Sequence, residues 1–199
     1  SHGHVQGKVA VKLLHPELAH DFGSELLRAL RQAEDVGHPR VPAPIEILTV
    51  DDTRAVVTRL ILGESAAALI ERRRGRIPPS EALRITSDVL ELVGTAHAHG
   101  VCHGALSLSH VLLDDQGATH LIGFGEARVR AQLGLVPDRA FVAPEHHART
   151  PSVTADLWAV AALLFVLLTG AHPKDDQGRA RPLARLTDHA LEGLVELID

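Results

Sequence analysis

The sequence predicts an α+β fold in two parts, a small β-rich part over residues 1–62 and a mainly helical part over residues 63–199. Short β-branched runs are concentrated before Gly63, whereas apolar residues at helical intervals dominate after it. The chain has 199 residues, of which 45% are apolar, so it can bury a core of ordinary globular kind. Strands followed by helices are the order of an α+β fold.

The β-rich part contains predicted strands and one predicted helix. The run "KVAVKLL", from Lys8 to Leu14, predicts the first strand. The segment "SELLRALRQAEDVG", residues 24–37, has helical spacing, with Ser24 as its N-cap and Gly37 as its stop. The runs "IEILTV" and "RAVVTRLI" then flank "DDT" as the two strands of a hairpin do.

The helical part begins with a long amphipathic segment, "PSEALRITSDVLELVGTAHAHG", which predicts a helix from Pro79 that stops at Gly100. The run "HVLLDDQGATHLI" predicts two short strands around an Asp-Asp-Gln-Gly turn. A loop over residues 123–145 follows, and then a helix over residues 155–169 that ends at Gly170.

Charge and composition exclude several classes of partner. The chain has 20 basic and 25 acidic residues, and no basic patch lies beside stacking aromatic residues, so no nucleic-acid partner is predicted. The longest apolar run, Leu157–Leu168, is too short to span a bilayer, so it predicts a buried helix and no membrane partner for this segment. The single Cys102 excludes an internal disulfide and suits a reducing, cytoplasmic compartment.

The chain contains 14 histidines, which raises the question of a metal site. Two close pairs occur, His97 with His99 and His146 with His147. Neither pair has the i,i+4 spacing or the Cys/His grid that is typical of a zinc site. No metal ligand is therefore predicted.

Six landmarks follow one another between about Lys8 and Pro173. They are a strand with "VAVK", a helix with a glutamate, "AHAHGVCH" before a hairpin, "GFG", "APE" and "DLW". In this order they resemble eukaryotic-type protein kinases, a family found also in bacteria, whose motifs run VAIK, helix Glu, HRDLxxxN, DFG, APE and DxW. The resemblance implies a two-lobed protein-kinase-like fold, with an N-lobe without its Gly-rich loop and a C-lobe that is incomplete at its end.

Several residues match the family position by position. Lys12 corresponds to the phosphate-holding lysine and Glu25 to its partner on the helix, with Glu34 as an alternative partner. This pair implies either a vestigial nucleotide site or a structural ion pair that docks the helix on the sheet. The other matches imply structural roles: Phe124, Gly125, Glu145, Asp156 and Trp158.

Two of these structural roles can be stated as contacts. His103, at the first position of the HRD motif, is expected to pack against Phe124. Asp156 is expected to accept hydrogen bonds from the backbone of the turn over residues 103–106.

The chemical positions of the family hold other residues. In "HGALSLSH" and "GFG", Ala105 stands for the catalytic-loop Asp, Ser107 for the Lys, His110 for the metal-binding Asn and Gly123 for the DFG Asp. Mg²⁺ prefers oxygen ligands, which a methyl group, a glycine hydrogen and an imidazole do not supply. These four departures, treated as independent, predict that the chain has no catalytic residue, is not an enzyme and takes no cofactor beyond weak ATP binding.

The resemblance and the departures together predict a pseudokinase that acts as a protein-binding or allosteric module, with another protein as its partner. Two alternatives stay open: a nucleotide sensor without turnover, and an unconventional ATP-using phosphotransferase that relies on Glu126 or on a metal other than Mg²⁺ at His110. The loop over residues 126–142 contains no Ser, Thr or Tyr to phosphorylate. Its apolar residues, among them Leu135 and Val136, are expected either to pack on their own lobe or to contact the partner.

Overall fold

The first three strands form an antiparallel sheet in the order β1, β3, β2. They are β1 (Val9–Leu13), β2 (Pro44–Val50) and β3 (Thr53–Arg59). β2 and β3 form an antiparallel pair in which Val50 lies opposite Thr53, so the predicted hairpin is confirmed. The computed structural model describes residues 8–13, 31, 34–50, 53–75, 77–125, 138–143, 151–174, 178–179 and 181. Most of the helix predicted over residues 24–37 lies outside these residues, and positions 34–36 are helical.

A second antiparallel sheet has the order β4, β5, β6. Its strands are β4 (Gly63–Ser65), β5 (Val111–Asp114) and β6 (Thr119–Leu121). β5 and β6 form the hairpin that the sequence predicted. β4 can approach β5 closely because Gly63 has no side chain: a Cβ there would lie 1.9 Å from the carbonyl oxygen of Leu113. Any other residue at position 63 would push the two strands apart.

Three further α-helices are described over their full length. They are α1 (Ala66–Arg72), α2 (Pro79–Ala98) and α3 (Val153–Thr169). α2 begins at the predicted Pro79, whereas α3 begins two residues before the predicted 155. The reason for the earlier start is that the Ser152 hydroxyl accepts a hydrogen bond from the Ala155 N–H and caps the helix.

The core lies where α2 and α3 pack against each other and against the second sheet. Leu92 of α2, Leu163 and Leu167 of α3 and Leu121 of β6 are all fully buried. The prediction of a buried helix from the apolar run Leu157–Leu168 is therefore confirmed, although Leu157 itself is exposed. Within the described residues, no helix is both long and apolar enough to cross a membrane.

The turn between β5 and β6 depends on one carboxylate. Asp114 accepts hydrogen bonds from the N–H groups of Gln116 and Ala118 and from the imidazole of the buried His120. The hydrogen bond with His120, supported by those with the backbone, holds the pKa of the Asp114 carboxyl below its usual value. The turn is thus stabilised by the charged form of Asp114.

We expect this turn to make stability depend on pH in the acid range. A carboxyl whose folded-state pKa is lowered contributes stability that is fully present above its unfolded-state pKa of about 4, and that is lost as the pH falls through the folded-state value. Thermal unfolding from pH 7 to pH 2 should therefore show a steeper acid loss for the wild type than for Asp114→Asn. Parallel curves for the two proteins would contradict the prediction.

Candidate functional site

A cavity lies between the two sheets, and one of its walls is a single face of the first sheet. Side chains alternate along a strand, so Ala10 and Lys12 of β1 share one face. They lie directly opposite Thr58 and Val56 of β3. All four residues line the cavity, as do the following residues from the rest of the fold: Pro42, Pro44, Arg59, Leu60, Ile61, His110, Leu112, Ile122, Gly123 and Phe124.

The chemistry of this lining is mainly apolar. Ala10 and Val56 on one side and Leu112 and Ile122 on the other bound the cavity, and Lys12 brings an ammonium group to it. Among the described residues that line it, none carries a carboxylate. Lys12 could be recognised from its motif in the sequence, whereas the apolar walls could not, because each wall combines residues from separate strands. The strand alternation around Lys12 was the signal that points to Ala10.

Of the two glutamates predicted to pair with Lys12, the structure describes one. Glu25 lies outside the described residues. Glu34 is exposed and is not among the residues that line the cavity. The choice between a phosphate site and a structural ion pair for Lys12 stays a prediction.

Asp156 ties the start of α3 to the turn that follows α2. Its carboxylate accepts hydrogen bonds from the N–H groups of His103, at 2.8 Å, and Gly104, at 2.7 Å. These are the backbone hydrogen bonds that the sequence predicted. The His97 Nε2 lies 2.9 Å from the same carboxylate, an interaction that the sequence analysis missed. Asp156 is 1% exposed, so these contacts are shielded from water.

His103 is fully buried and contacts Phe124, with ring centroids 4.7 Å apart, as predicted. The Ala105 N–H donates to His103 Nδ1, and His103 Nε2 lies 2.9 Å from the Ile122 carbonyl oxygen. A neutral ring protonated on Nε2 satisfies both contacts, because one nitrogen then accepts while the other donates. His103 thereby joins the turn over residues 103–106 to the backbone of Ile122, which lines the cavity.

His110 and Gly123 are in direct contact. The Ile122 N–H donates to the His110 carbonyl, which brings His110 beside Gly123, and the His110 Nδ1 lies 2.9 Å from the Ser107 hydroxyl. A Cβ at position 123 would lie 2.5 Å from the His110 Cδ2. The imidazole therefore occupies the space that a side chain at position 123 needs. These two departures from the family pattern are coupled, and the view of four independent departures is corrected.

The structure describes some of the remaining predicted site residues and not others. Gly125 has φ +82° and Phe124 is buried, whereas Glu126 and Glu145 lie outside the described residues. Leu135 and Val136 also lie outside them, so the question of their partner stays a prediction. The assignment of Ala105, Ser107, His110 and Gly123 to catalytic positions likewise stays a prediction.

Two curated relatives carry names that describe an activity. The chain is 32% identical over 210 aligned positions to the serine/threonine-protein kinase PkaB of Streptomyces coelicolor, covering 96% of this chain and 49% of that protein. It is 29% identical to the serine/threonine-protein kinase PknE of Mycobacterium tuberculosis, covering 83% of this chain and 31% of that protein. The chain thus spans about half or less of the length of these relatives.

These relatives overturn two of the sequence-based predictions. Their names are those of enzymes, so the prediction that the chain is not an enzyme is wrong. Protein kinases normally use ATP and Mg²⁺, so the prediction of no cofactor is wrong as well. The physical reason is that phosphoryl transfer depends on positioning and on the electrostatics of the whole site. Missing side chains at single positions therefore do not establish missing turnover.

The described residues that line the cavity fit ATP and Mg²⁺ to different extents. The apolar walls of the cavity fit a flat purine ring. Mg²⁺ prefers oxygen ligands in near-octahedral geometry, and the described lining offers no carboxylate for it. His110 also excludes a side chain at position 123. These residues therefore fit the nucleotide better than a magnesium ion.

Comparisons of the fold and of the sequence with known families agree with each other. The structure resembles the kinase domain of PknI from Mycobacterium tuberculosis, with a TM-score of 0.72 and 25% identity, covering 90% of this chain and 70% of that one. The family model for the protein kinase domain matches residues 2–193. The chain belongs to the protein kinase domain family.

Proposed function

We propose that the cavity between the two sheets binds ATP and that the chain is an ATP-dependent signalling domain of the protein kinase family. The observation that carries the proposal is the apolar cavity with one lysine on its wall. Such a lining, with few polar groups at defined positions, is typical of small-molecule sites. Because the chain spans about half the length of PkaB, the activity of the whole protein is part of the proposal.

The adenine ring is proposed to lie between the two sheets. Ala10 and Val56 would contact one face of the ring and Leu112 the other, which removes apolar surface from water on both sides. Leu60 and Ile61 also line the cavity and belong to neither β3 nor β4. Their backbone N–H and C=O groups are therefore candidates for hydrogen bonds with the purine edge.

The phosphates are proposed to lie toward Lys12. Its side chain shares the face of β1 with Ala10, two residues away, so one strand supports both the ring and the charged part of the ligand. A lysine ammonium binds phosphate as a compact positive charge. ATP is thus expected to bind more tightly than adenosine, which has no phosphate.

A protein is proposed as the partner. Support comes from the names of PkaB and PknE, which describe serine/threonine-protein kinases, and from the family to which the chain belongs. A protein-binding or regulatory role and a cytoplasmic location, inferred from the sequence, are retained as parts of this proposal. Incubation with γ-labelled ATP and a general protein acceptor measures whether label moves to the chain or to the acceptor.

Thermal unfolding of the chain with ATP, ADP or adenosine, each with and without Mg²⁺, tests the proposed site. At a ligand concentration of 100 times Kd, binding adds about 2.7 kcal/mol to the stability and raises the Tm by several degrees. Lys12→Ala should weaken the effect of ATP and leave that of adenosine unchanged. Lys8→Ala is the matched control, because Lys8 is exposed beside the same strand and is not among the lining residues.

A second pair of variants tests whether the ring lies in the cavity. Ala10→Phe should fill the cavity and abolish the Tm shift with ATP and with adenosine. Val11→Phe should leave both shifts intact, because Val11 is 55% exposed and points away from the cavity. If ATP shifts the Tm of Ala10→Phe as much as that of the wild type, the nucleotide does not bind between the sheets and the proposal fails.

A further inference from the structure

Three potential metal ligands from different parts of the chain lie close together beside the turn over residues 103–106. They are His97 near the end of α2, Cys102 in the segment after it and Asp156 in the first turn of α3. One ligand atom from each residue, an imidazole nitrogen, a thiol sulfur and a carboxylate oxygen, lies within 4.8 Å of the other two. The sequence does not show this cluster, because Asp156 lies 59 residues after His97.

The separations are close to those of a tetrahedral zinc centre. Metal-ligand distances of about 2.0–2.3 Å place neighbouring ligand atoms about 3.3–3.7 Å apart. The His97 Nε2 and the Asp156 Oδ2 are 2.9 Å apart. Closing the site around an ion therefore needs a spread of this pair by about 0.5 Å and an approach of the sulfur by about 1.5 Å at most. Movements of this size are within the reach of side-chain rotations.

Asp156 is already held in place for this role. Its Oδ1 accepts the Gly104 N–H, and its Oδ2 accepts the His103 N–H and faces the His97 Nε2. The lone pair of Oδ2 that now faces His97 is the one that an ion would use. Metal ligands that are oriented by further hydrogen bonds in this way bind more strongly. An ion would take the place of the hydrogen bond between the His97 Nε2 and the Asp156 Oδ2.

Access from solvent comes from the two other residues. The side chain of His97 is 13% exposed and Cys102 is half-buried, whereas Asp156 is buried at the base of the cluster. Solvent exposure of these two side chains gives an ion a route to the imidazole and the sulfur, with water as the proposed fourth ligand. Three protein ligands and one water are a common zinc arrangement.

We propose that His97, Cys102 and Asp156 form a binding site for a zinc-class divalent ion, a soft to borderline metal that takes sulfur and nitrogen ligands. The bound ion joins α2, the turn over residues 103–106 and α3 at one point. It therefore stabilises the turn. This site shares none of its ligands with the residues that line the ATP cavity.

Titration of the purified chain with Co²⁺ under reducing conditions, followed by displacement with Zn²⁺, tests the proposal. Tetrahedral Co²⁺ with a thiolate ligand absorbs visible light and gives a sulfur-to-cobalt charge-transfer band, so the spectrum reports the cysteine directly. One equivalent should bind, and Zn²⁺ should remove the bands. Zn²⁺ should also raise the Tm by mass action.

Matched variants identify the ligands. Cys102→Ser should remove the charge-transfer band and weaken binding more than about 100-fold, the upper end of what loss of a supporting residue costs. His97→Gln can still donate a hydrogen bond to Asp156, so it should keep the fold and lose the ion. His99→Gln is the control, because His99 is exposed at the end of the same helix and lies outside the cluster.

Two results would overturn the proposal. One is a wild-type chain without a thiolate-cobalt band. The other is a band or a Zn²⁺-dependent Tm shift that survives in both Cys102→Ser and His97→Gln, which would assign the ion to other histidines. ATP binding by the variants is measured in parallel, and an unchanged Kd for ATP is expected because the two sites have no ligand in common.

Discussion

Gly123→Asp is expected to destabilise the domain by about 2–5 kcal/mol, through backbone strain together with overpacking. Gly123 has φ +89°, a conformation that side chains disfavour, and a Cβ there would lie 2.5 Å from the His110 ring. The ring cannot move without loss of its contact with the Ser107 hydroxyl. Chemical denaturation monitored by circular dichroism measures the change.

Two controls separate the effect of backbone strain at position 123 from that of the contact with the His110 ring. Gly117→Asp changes a glycine with φ +79° whose Cβ would meet nothing within 4 Å, so it should show the strain alone. The double variant His110→Ala/Gly123→Asp should recover about 1–3 kcal/mol relative to the sum of the single changes, as residues in contact do. Additive effects of the two substitutions would contradict the coupling of positions 110 and 123.

Asp156→Ala is expected to cost about 3–5 kcal/mol, the range for removing one partner of a buried, hydrogen-bonded charge. The substitution leaves the N–H groups of His103 and Gly104 without their carboxylate acceptor, beside the buried His103. These groups begin the turn that carries Ser107, whose hydroxyl contacts His110 in the wall of the cavity, so the binding of ATP should also weaken. Equilibrium unfolding and the Tm shift with ATP are the two measurements.

The matched control for this change is Asp138→Ala. Asp138 also accepts a hydrogen bond from a backbone N–H, that of Ala140, but its side chain is exposed. An exposed cap costs about 1 kcal/mol, several times less than the expected effect at position 156. Similar losses for the two variants would show that burial of Asp156 does not determine its contribution.

The sequence determined the fold class and the order of the elements that it predicted, whereas β4 and α1 were not predicted from it. Alternating and helical patterns of apolar residues are local, so the β2–β3 and β5–β6 hairpins, α2 and the buried face of α3 could be predicted from neighbouring residues. The spacing of landmarks from "VAVK" to "DLW" identified the family. Matched positions within that family also predicted the packing of His103 on Phe124 and the backbone contacts of Asp156.

Only the tertiary structure decided which distant residues meet. The contact of His110 with Gly123 depends on a positive φ and on a backbone hydrogen bond across the β5–β6 pair. The meeting of His97, Cys102 and Asp156 depends on how α3 packs against α2. The apolar walls of the cavity come from two separate sheets. A linear pattern reports periodicity within one element, whereas these contacts depend on the relative positions of several elements, which packing of the whole chain fixes.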